Sequence, residues 1–237
     1  MKTVRIHKFL SQMGIASRRK AEILINEKRI KINGQFAQIG QKISDLDVVE
    51  FDGRKINKKP KIVWYALNKP KNYITSRTDP QNRPTIMEFF DKNSYLFPVG
   101  RLDFETTGLI LVTNDGETSN KLLHPSSKIQ RTYLVKTDFN LNGEEINFLN
   151  NNEIYLDNVK SVQKVQKVAS RTYIVKIWQG SNHHVKKIFI SVSKKVLMLR
   201  RLSFATIELG NLKPGEKRKL SQAEILSLKN IFQQIKF

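Results

Sequence analysis

Apolar residues recur at helical spacing near the start of the chain and predict two short helices. Gly14 favours termination of the first helix, and Ser17 is a candidate N-cap for the second, ASRRKAEILINEK. Two β runs follow, RIKINGQF and DVVEFDGRKI, each with a two-residue hairpin signal, Asn-Gly or Asp-Gly. The apolar face of the first helix comprises Ile6, Phe9, Leu10 and Met13.

A basic, proline-containing segment, INKKPKI, interrupts regular structure and places a domain boundary near Pro60. We therefore expect a small domain over 1–59 and a larger one over 60–237. In the larger part, short β runs (IVWYAL, LILVT, TYLVK, RTYIVKIW, FATIEL) alternate with helical stretches around KLLH, EEINFL and NHHVKKIFISV. A capping box, Ser221 with Glu224, opens a last helix. The pattern predicts an α+β fold with a mostly antiparallel sheet.

Charge changes this picture by indicating a partner. The 237 residues include 42 Lys and Arg against 21 Asp and Glu, a formal net charge of +21. Residues 1–59 carry 14 basic and 6 acidic side chains, so both predicted domains are basic. A field of this size attracts polyanions, and nucleic acid is the expected partner. The alternative is a basic surface that serves only solubility.

Several function classes are excluded or disfavoured by composition. The chain has no cysteine, and its four histidines lack ligand-like spacing, so neither thiolate nor zinc sites are expected. No glycine-rich phosphate loop supports a nucleotide cofactor. The N-terminus MKTVRIHKFL has no long apolar region, and no stretch reaches the length of a membrane span. We expect a soluble, cytoplasmic protein without a metal or cofactor.

The second predicted helix opens with three cations, Arg18, Arg19 and Lys20. Cations at a helix N-terminus oppose the macrodipole, whereas a phosphate there accepts hydrogen bonds from the side chains and from free N–H groups. A solvated helix face is the alternative interpretation. The segment HKFLSQMGIASRRKAEILINEKRIKINGQ with DVVEFDG resembles the alpha-L RNA-binding domain of the ribosomal-protein-S-four type. That resemblance implies that these three side chains contact RNA phosphates.

The stretch PVGRLDFETTGLILVTNDGE, residues 98–117, reads as a loop, a buried strand and the turn that follows. Loops held by a rigid scaffold often carry catalytic groups. Asp103 lies between Leu102 and Phe104, which can desolvate it, so it is a better candidate than Glu105. From the pattern alone, a structural role for Asp103, as a salt-bridge partner of Arg101 or as the cap of a turn, remains the preferred alternative.

The same stretch resembles the signature of the pseudouridine synthases that act on bacterial ribosomal RNA. Three flanking pieces occur in that family's order, LNKPKNYITS, HPSSKIQRTYLVK and RLSFATIELGNLKPGEKRKLSQAE, so nearly the whole chain is covered. The resemblance implies a catalytic domain with a mixed, mostly antiparallel sheet behind the alpha-L domain. It also implies that Asp103 is the essential aspartate and that Arg101 enters the space left by an extruded base. The isomerisation requires no cofactor.

A partly buried carboxylate needs a cation nearby to remain ionised. The family supplies it from a segment of the form Gly-Arg-Asn-x-Gln-Val-Arg-Arg, and the corresponding piece here is QGSNHHVKKIF, residues 179–189. The alignment places Lys186 at the arginine that pairs with the aspartate, although lysine lacks the planar fork of arginine. A solvated helix face is the alternative for Lys186. Lys187 is a candidate RNA contact, and His184 replaces the family's glutamine.

Two further side chains follow from the resemblance. Tyr133, in RTYLVK, aligns with the family's active-site tyrosine and would stack on the uracil; without the family it would be read as a core aromatic. Lys69, before a proline, is a candidate phosphate contact or an ordinary residue of an exposed turn.

Two functions remain open from the sequence. The first is isomerisation of a uridine in ribosomal RNA, either free or in an assembling subunit, with 23S RNA favoured over 16S RNA. The second is a non-catalytic RNA-binding or ribosome-assembly factor on the same fold, because residues 180–187 depart from the family pattern. Joint retention of Asp103, Arg101 and Tyr133 favours the enzyme, since a buried charge is costly to keep without use.

Overall fold

The computed structural model describes residues 3–57, 60–91, 95–151 and 153–234. The chain divides into two compact units, and the main break falls between Ile62 and Val63. The boundary predicted near Pro60 stays a prediction, because residues 58 and 59 of the predicted linker lie outside the described ranges.

The first unit contains both helices that the apolar spacing predicts. Ile6 and Leu10 are fully buried, and Gly14 follows the first helix with φ +75°. Ser17 caps the second helix by accepting a hydrogen bond from the backbone N–H of Lys20 at 3.1 Å. The helices are α1 (Ile6–Gln12) and α2 (Arg18–Asn26).

Short strands complete the first unit. They are β1 (Val4–Arg5), β2 (Ile30–Ile32), β3 (Gln35–Phe36), β4 (Lys42–Ile43), β5 (Val49–Phe51) and β6 (Arg54–Lys55). Strands β3, β2, β5 and β6 form one antiparallel sheet in that order, and β1 pairs with β4. The predicted hairpins Asn33-Gly34 and Asp52-Gly53 are confirmed, with positive φ at both residues of each turn. The β1–β4 pair was not predicted, because two-residue strands carry no periodicity.

The second unit is organised around a large mixed sheet. Its strands are β7 (Trp64–Lys69), β8 (Phe97–Val99), β9 (Thr107–Thr113), β10 (Arg131–Thr137), β11 (Tyr155–Leu156), β12 (Val159–Lys160), β13 (Gln163–Ala169), β14 (Thr172–Ile177), β15 (Val196–Phe204), β16 (Ile207–Glu208) and β17 (Lys217–Lys219). The sheet order is β13-β14-β10-β15-β9-β7-β17, with β8 on β9 and β16 on β15, while β11 and β12 form a separate hairpin. Among the named strands of the described residues only the β9–β15 pair is parallel, so the predicted mostly antiparallel α+β fold is confirmed.

Helices cover both faces of this sheet. They are α3 (Gly116–Leu123), α4 (Gly143–Asn150), α5 (His184–Ile190) and α6 (Gln222–Gln234). Alternate residues of β9 point to opposite faces: Ile110 packs in the core with α5, whereas Leu109 packs in the core with α3 and α6. This explains why LILVT is a continuous apolar run. The structure describes no helix with the length and apolarity needed to cross a membrane.

Two local expectations need correction. The run FATIEL does not form one strand, because β15 ends at Phe204 and Ala205 turns the chain with φ +55° before β16 begins. The Asn114-Asp115-Gly116 turn signal after β9 is wrong at its last residue, because α3 begins at Gly116; the helix predicted around KLLH is confirmed, since α3 includes its first three residues. The capping box between Ser221 and Glu224 is confirmed by backbone N–H to side-chain oxygen bonds of 2.8 and 3.2 Å.

The parallel contact between β9 and β15 depends on Gly108. A Cβ atom at this position would lie 2.2 Å from the carbonyl oxygen of Arg201, and φ of Gly108 is +101°. Only glycine permits both this conformation and this approach. The contact holds the start of β9, and hence the loop before it, beside Arg201.

Candidate active site

A cleft of about 640 Å³ opens in the second unit and is lined by three of the candidate residues of the larger domain. Its walls include the loop between β8 and β9, strand β10, strand β15 and the segment that leads into α5. Asp103, Arg101 and Tyr133 all line it, as do His183 and Arg201. The loop that carries Asp103 and the segment that carries His183 are distant in sequence but lie at the same cleft.

Backbone contacts hold the loop that carries Asp103. The Thr75 hydroxyl donates to the carbonyl oxygen of Leu102 at 2.8 Å and accepts from the Leu102 N–H at 3.2 Å. The Thr106 N–H donates to the Asp103 carbonyl at 3.1 Å. Leu102 itself is buried, so both a packed side chain and paired backbone groups fix the loop.

Lys69 binds the backbone of the same loop from inside the protein. Its predicted role as a phosphate contact or as an exposed turn residue is therefore wrong. Its side chain is fully buried. Its ammonium donates to the carbonyl oxygens of Pro70, Phe104 and Thr106 at 3.0, 3.1 and 2.8 Å. Burial lowers the pKa of Lys69 to about 8, against the opposing effects of the Asp103 and Glu105 charges. All three donors of the ammonium are thus used inside the protein.

The predicted ion pair with Asp103 is formed. Lys186 Nζ lies 2.8 Å from Asp103 Oδ2, and the two side chains are about one-third exposed, at 32 and 30%. His183 Nε2 lies 3.6 Å from Oδ1, and the Thr106 hydroxyl donates to Oδ2 at 3.5 Å. Lys187 points elsewhere and pairs with Asp157. The alignment of residues 180–187 with the family pattern therefore identifies the lysine that contacts the carboxylate.

Arg101 and Tyr133 differ in their surroundings. Arg101 is exposed at the cleft, and the ion-pair partners of Asp103 in the described chain are Lys186 and His183, not Arg101. Tyr133 is only 7% exposed and belongs to the core on the α5 side of the sheet, while it also lines the cleft. Both interpretations of Tyr133, core aromatic and site residue, are thus compatible with its position.

The two adjacent histidines have separate roles in the architecture. His183 is the N-cap residue that precedes α5, has a left-handed conformation with φ +54°, and lies beside Asp103. His184 is buried, with Nε2 at 2.8 Å from Ser161 Oγ and Nδ1 at 3.1 Å from Ser181 Oγ. Burial, and then the nearby positive charges of Arg131 and Lys187, lower the pKa of His184 to about 4. It is neutral at neutral pH.

Sequence reasoning missed two of these contributions. The first is His183, which lies near Asp103. Its backbone is left-handed at the start of α5, and the sequence does not show this conformation. Arg201 is 2% exposed on β15, although arginine is rarely so buried. A double arginine in the apolar strand LMLRRLSF is the one signal that could have drawn attention to it. Among the described residues, no group of three or more His, Asp or Glu side chains could hold a metal ion.

The first unit carries the other predicted contact residues. Arg18, Arg19 and Lys20 are exposed in the first turn of α2, where no acidic side chain offsets their charge. They adjoin the free N–H groups that Ser17 leaves at this helix end. The arrangement suits a phosphate.

Comparison with known proteins gives a family match for each part of the chain. Residues 63–191 match the family model for RNA pseudouridylate synthase, and residues 4–49 match the S4 domain. An uncharacterised RNA pseudouridine synthase of Aquifex aeolicus is 37% identical over 96% of this chain and 94% of its own length. The ribosomal large subunit pseudouridine synthase B of Bacillus subtilis is 34% identical, covering 95% of both chains.

A crystal structure of a pseudouridylate synthase shares the fold, with a TM-score of 0.70 and 28% identity over 95% of this chain and 99% of that chain. The family match, the curated relatives and the shared fold define an RNA-modifying isomerase. The chain belongs to the RNA pseudouridine synthase family and carries an N-terminal S4 domain.

Proposed function

We propose that this enzyme converts a specific uridine of ribosomal RNA to pseudouridine, with 23S RNA as the preferred substrate over 16S RNA. The observation that carries the proposal is the Asp103–Lys186 pair at 2.8 Å, in which Asp103 lines the same cleft as Tyr133. The name of the Bacillus subtilis relative, a large subunit pseudouridine synthase, supports the choice of ribosomal RNA and of the large subunit.

Asp103 performs the chemistry in this proposal. Isomerisation breaks the N-glycosidic bond, turns the uracil and rejoins it to the ribose through carbon, without net oxidation. The carboxylate either attacks the sugar or base covalently or removes a proton to give an unsaturated sugar. Both routes require an ionised carboxylate that is open to the substrate, and Asp103 is 30% exposed. Neither route requires a cofactor.

Lys186 supplies the positive charge that this carboxylate needs. Its ammonium contacts one oxygen, Oδ2, whereas an arginine could engage both. His183 lies on the side of the other oxygen, Oδ1, at 3.6 Å. The lysine and the histidine therefore lie next to different oxygens of the carboxylate.

Tyr133 and Arg101 act on the base and on the RNA around it. The ring of Tyr133 lines the cleft and is held by the core, so it offers a fixed surface for the uracil to stack on, worth roughly 1–3 kcal/mol. Arg101 is exposed at the cleft and is free to enter the space that an extruded base leaves in the RNA. Base extrusion is the usual solution when chemistry on a base is blocked by its stack.

The S4 domain supplies affinity through Arg18, Arg19 and Lys20, which meet RNA phosphates at the start of α2. Lys187 adds a phosphate contact by exchanging its exposed partner, Asp157, for RNA. The substrate is free ribosomal RNA or an assembling subunit, and the site of action is the cytoplasm.

Mapping pseudouridine in ribosomal RNA with carbodiimide, in cells with and without this protein, tests the proposal. One pseudouridine in 23S RNA should disappear on deletion and return with the wild-type gene. Restoration by Asp103→Asn would refute the role of Asp103. An unchanged map of both ribosomal RNAs would refute the proposed substrate.

A further inference from the structure

The cleft contains a second group of charges that the proposed chemistry does not use. Arg131 and Arg201 both line it, on the adjacent strands β10 and β15. No carboxylate pairs with either arginine in the part of the chain that the structure describes. Asp103 is engaged by Lys186 and His183. Two cations therefore face the cleft without an anion.

Arg201 shows the unmet bonding capacity directly. It is 98% buried, and its Nε donates to the carbonyl oxygen of Leu109 at 2.6 Å. Its Nη2 is buried and has no hydrogen-bond partner among the described residues. Buried donors are nearly always paired in folded proteins, so an unpaired guanidinium nitrogen beside a cleft indicates a ligand that supplies the acceptor.

Arg131 is held so that it works together with Arg201. Its Nη1 donates to the Ile129 carbonyl at 3.1 Å, and its guanidinium lies against Gly180, where an added Cβ would come within 3.3 Å of Cζ. Both guanidiniums lie over the ring of Phe204, with Cζ at 5.1 and 5.3 Å from its centroid. The two cations therefore lie at the same aromatic ring.

This proximity is unfavourable without a ligand. Burial lowers the pKa of the Arg131 guanidinium; the Tyr133 side chain opposes that effect, and the positive charge of Arg201 adds to it. A bound anion would remove the repulsion and accept the free N–H of Arg201. Two guanidiniums are suited to phosphate, whose oxygens accept several charge-assisted hydrogen bonds at once.

We infer that Arg131 and Arg201 bind the phosphate group of the target uridine nucleotide itself. The inference rests on the proposed function, because it places the uridine in the cleft beside Asp103. It adds a separate anchor for the sugar-phosphate of that nucleotide, next to the surface that Tyr133 offers to the base. The anchor would fix the position of the ribose relative to the carboxylate.

Binding of uridine, 5′-UMP, 3′-UMP and inorganic phosphate, measured by NMR titration at fixed ionic strength, tests this anchor. One of the two nucleotides should bind the wild-type protein roughly tenfold or more tightly than uridine, given the strength of charge-assisted hydrogen bonds. Arg131→Gln and Arg201→Lys should reduce that advantage to about twofold or less while uridine affinity changes little.

Arg200→Gln and Lys136→Gln are matched controls, since each removes one charge from the same two strands outside the cleft lining. Both should keep the phosphate advantage. Circular dichroism monitors folding, and Arg131→Gln decides the question alone if the more buried Arg201 variant does not fold.

Three results would overturn the anchor. These are equal binding of uridine and both nucleotides, a phosphate advantage that survives in Arg131→Gln, and inorganic phosphate binding as tightly as the nucleotides. The last would indicate a site for free anions. None of these titrations uses ribosomal RNA. If the RNA substrate were assigned wrongly, the pseudouridine map would contradict the proposed function, while the nucleotide titrations would still test the phosphate anchor.

Discussion

The ammonium of Lys186 lies 2.8 Å from Oδ2 of Asp103, while the next residue, Lys187, turns away to Asp157. A helix separates the directions of adjacent side chains, so only one lysine of the pair can serve the carboxylate. The ion pair joins a loop before β9 to the first turn of α5, more than 80 residues later in the chain. Glu105 and Lys187, which lie close to the pair in sequence, provide control positions for substitutions at Asp103 and Lys186.

Asp103→Asn should abolish pseudouridine formation, by roughly 10³-fold or more, because an amide is neither a nucleophile nor a base. RNA affinity should remain near that of the wild type. Glu105→Gln is the matched control, since Glu105 is an exposed carboxylate of the same loop and should be dispensable. Single-turnover assays on a ribosomal RNA fragment measure both. Comparable rates for the two variants would contradict the assignment.

Lys186→Met should slow the single-turnover rate by about tenfold or more, because the carboxylate loses the cation that stabilises its charge. Lys186→Arg should retain most of the rate, since a guanidinium can occupy the same place. Lys187→Met controls for the loss of one lysine from α5 and should affect RNA affinity more than the rate. A Lys187 variant slower than the Lys186 variant would reverse the alignment.

Lys69→Met should lower both stability and rate. It removes three hydrogen bonds that the ammonium donates to main-chain carbonyl oxygens, and the free energy of unfolding should fall by about 2–4 kcal/mol. The loop that presents Asp103 should lose its fixed geometry, so the rate falls even at temperatures where the variant is folded. Urea unfolding and single-turnover kinetics measure the two effects. Lys71→Met, at an exposed position two residues later, should change neither.

Stability should decrease on acidification because of His184. The folded pKa of about 4 lies below the ordinary 6.5, so between these values the unfolded chain binds more protons. The stability is fully present above pH 6.5 and is lost as the pH falls toward 4, by about 3 kcal/mol in all. His184→Gln should flatten this dependence in urea titrations, whereas His124→Gln, at an exposed position, should leave it. Equal slopes would exclude His184 as the source.

Replacing Arg18, Arg19 and Lys20 with glutamine should weaken RNA binding and reduce the slope of log affinity against log salt by about 0.7–0.9 per lost phosphate contact. A control variant with Lys160, Lys164 and Lys167 replaced removes the same charge from exposed positions of the second unit. It should change the slope less. An unchanged slope in the α2 variant would mean that this helix does not contact RNA.

Much of this architecture could be predicted because it depends on local patterns. Hairpins at Asn33 and Asp52, the cap at Ser17 and the buried run of β9 all follow from neighbouring residues. The Asp103–Lys186 pair needed the family resemblance, because nothing local relates two segments so distant in sequence. For Lys69, neither the local pattern nor the resemblance predicted its buried position.

The burial of Lys69 could not be predicted from the sequence. A lysine before proline reads as exposed, and its burial depends on three carbonyl groups that the fold brings together. Arg201 is similar, since its position is fixed by the missing side chain of Gly108 on another strand. Such environments are properties of tertiary structure, and side-chain chemistry alone does not reveal them.

The Lys69 anchor has an evolutionary consequence. Its ammonium binds main-chain oxygens of Phe104 and Thr106, so it is indifferent to the side chains of the loop. Phe104 and Glu105 are exposed on that loop beside Asp103. Substitutions there can alter which RNA surface is met while the carboxylate keeps its place. A descendant of this enzyme could acquire a new target without rebuilding its chemistry.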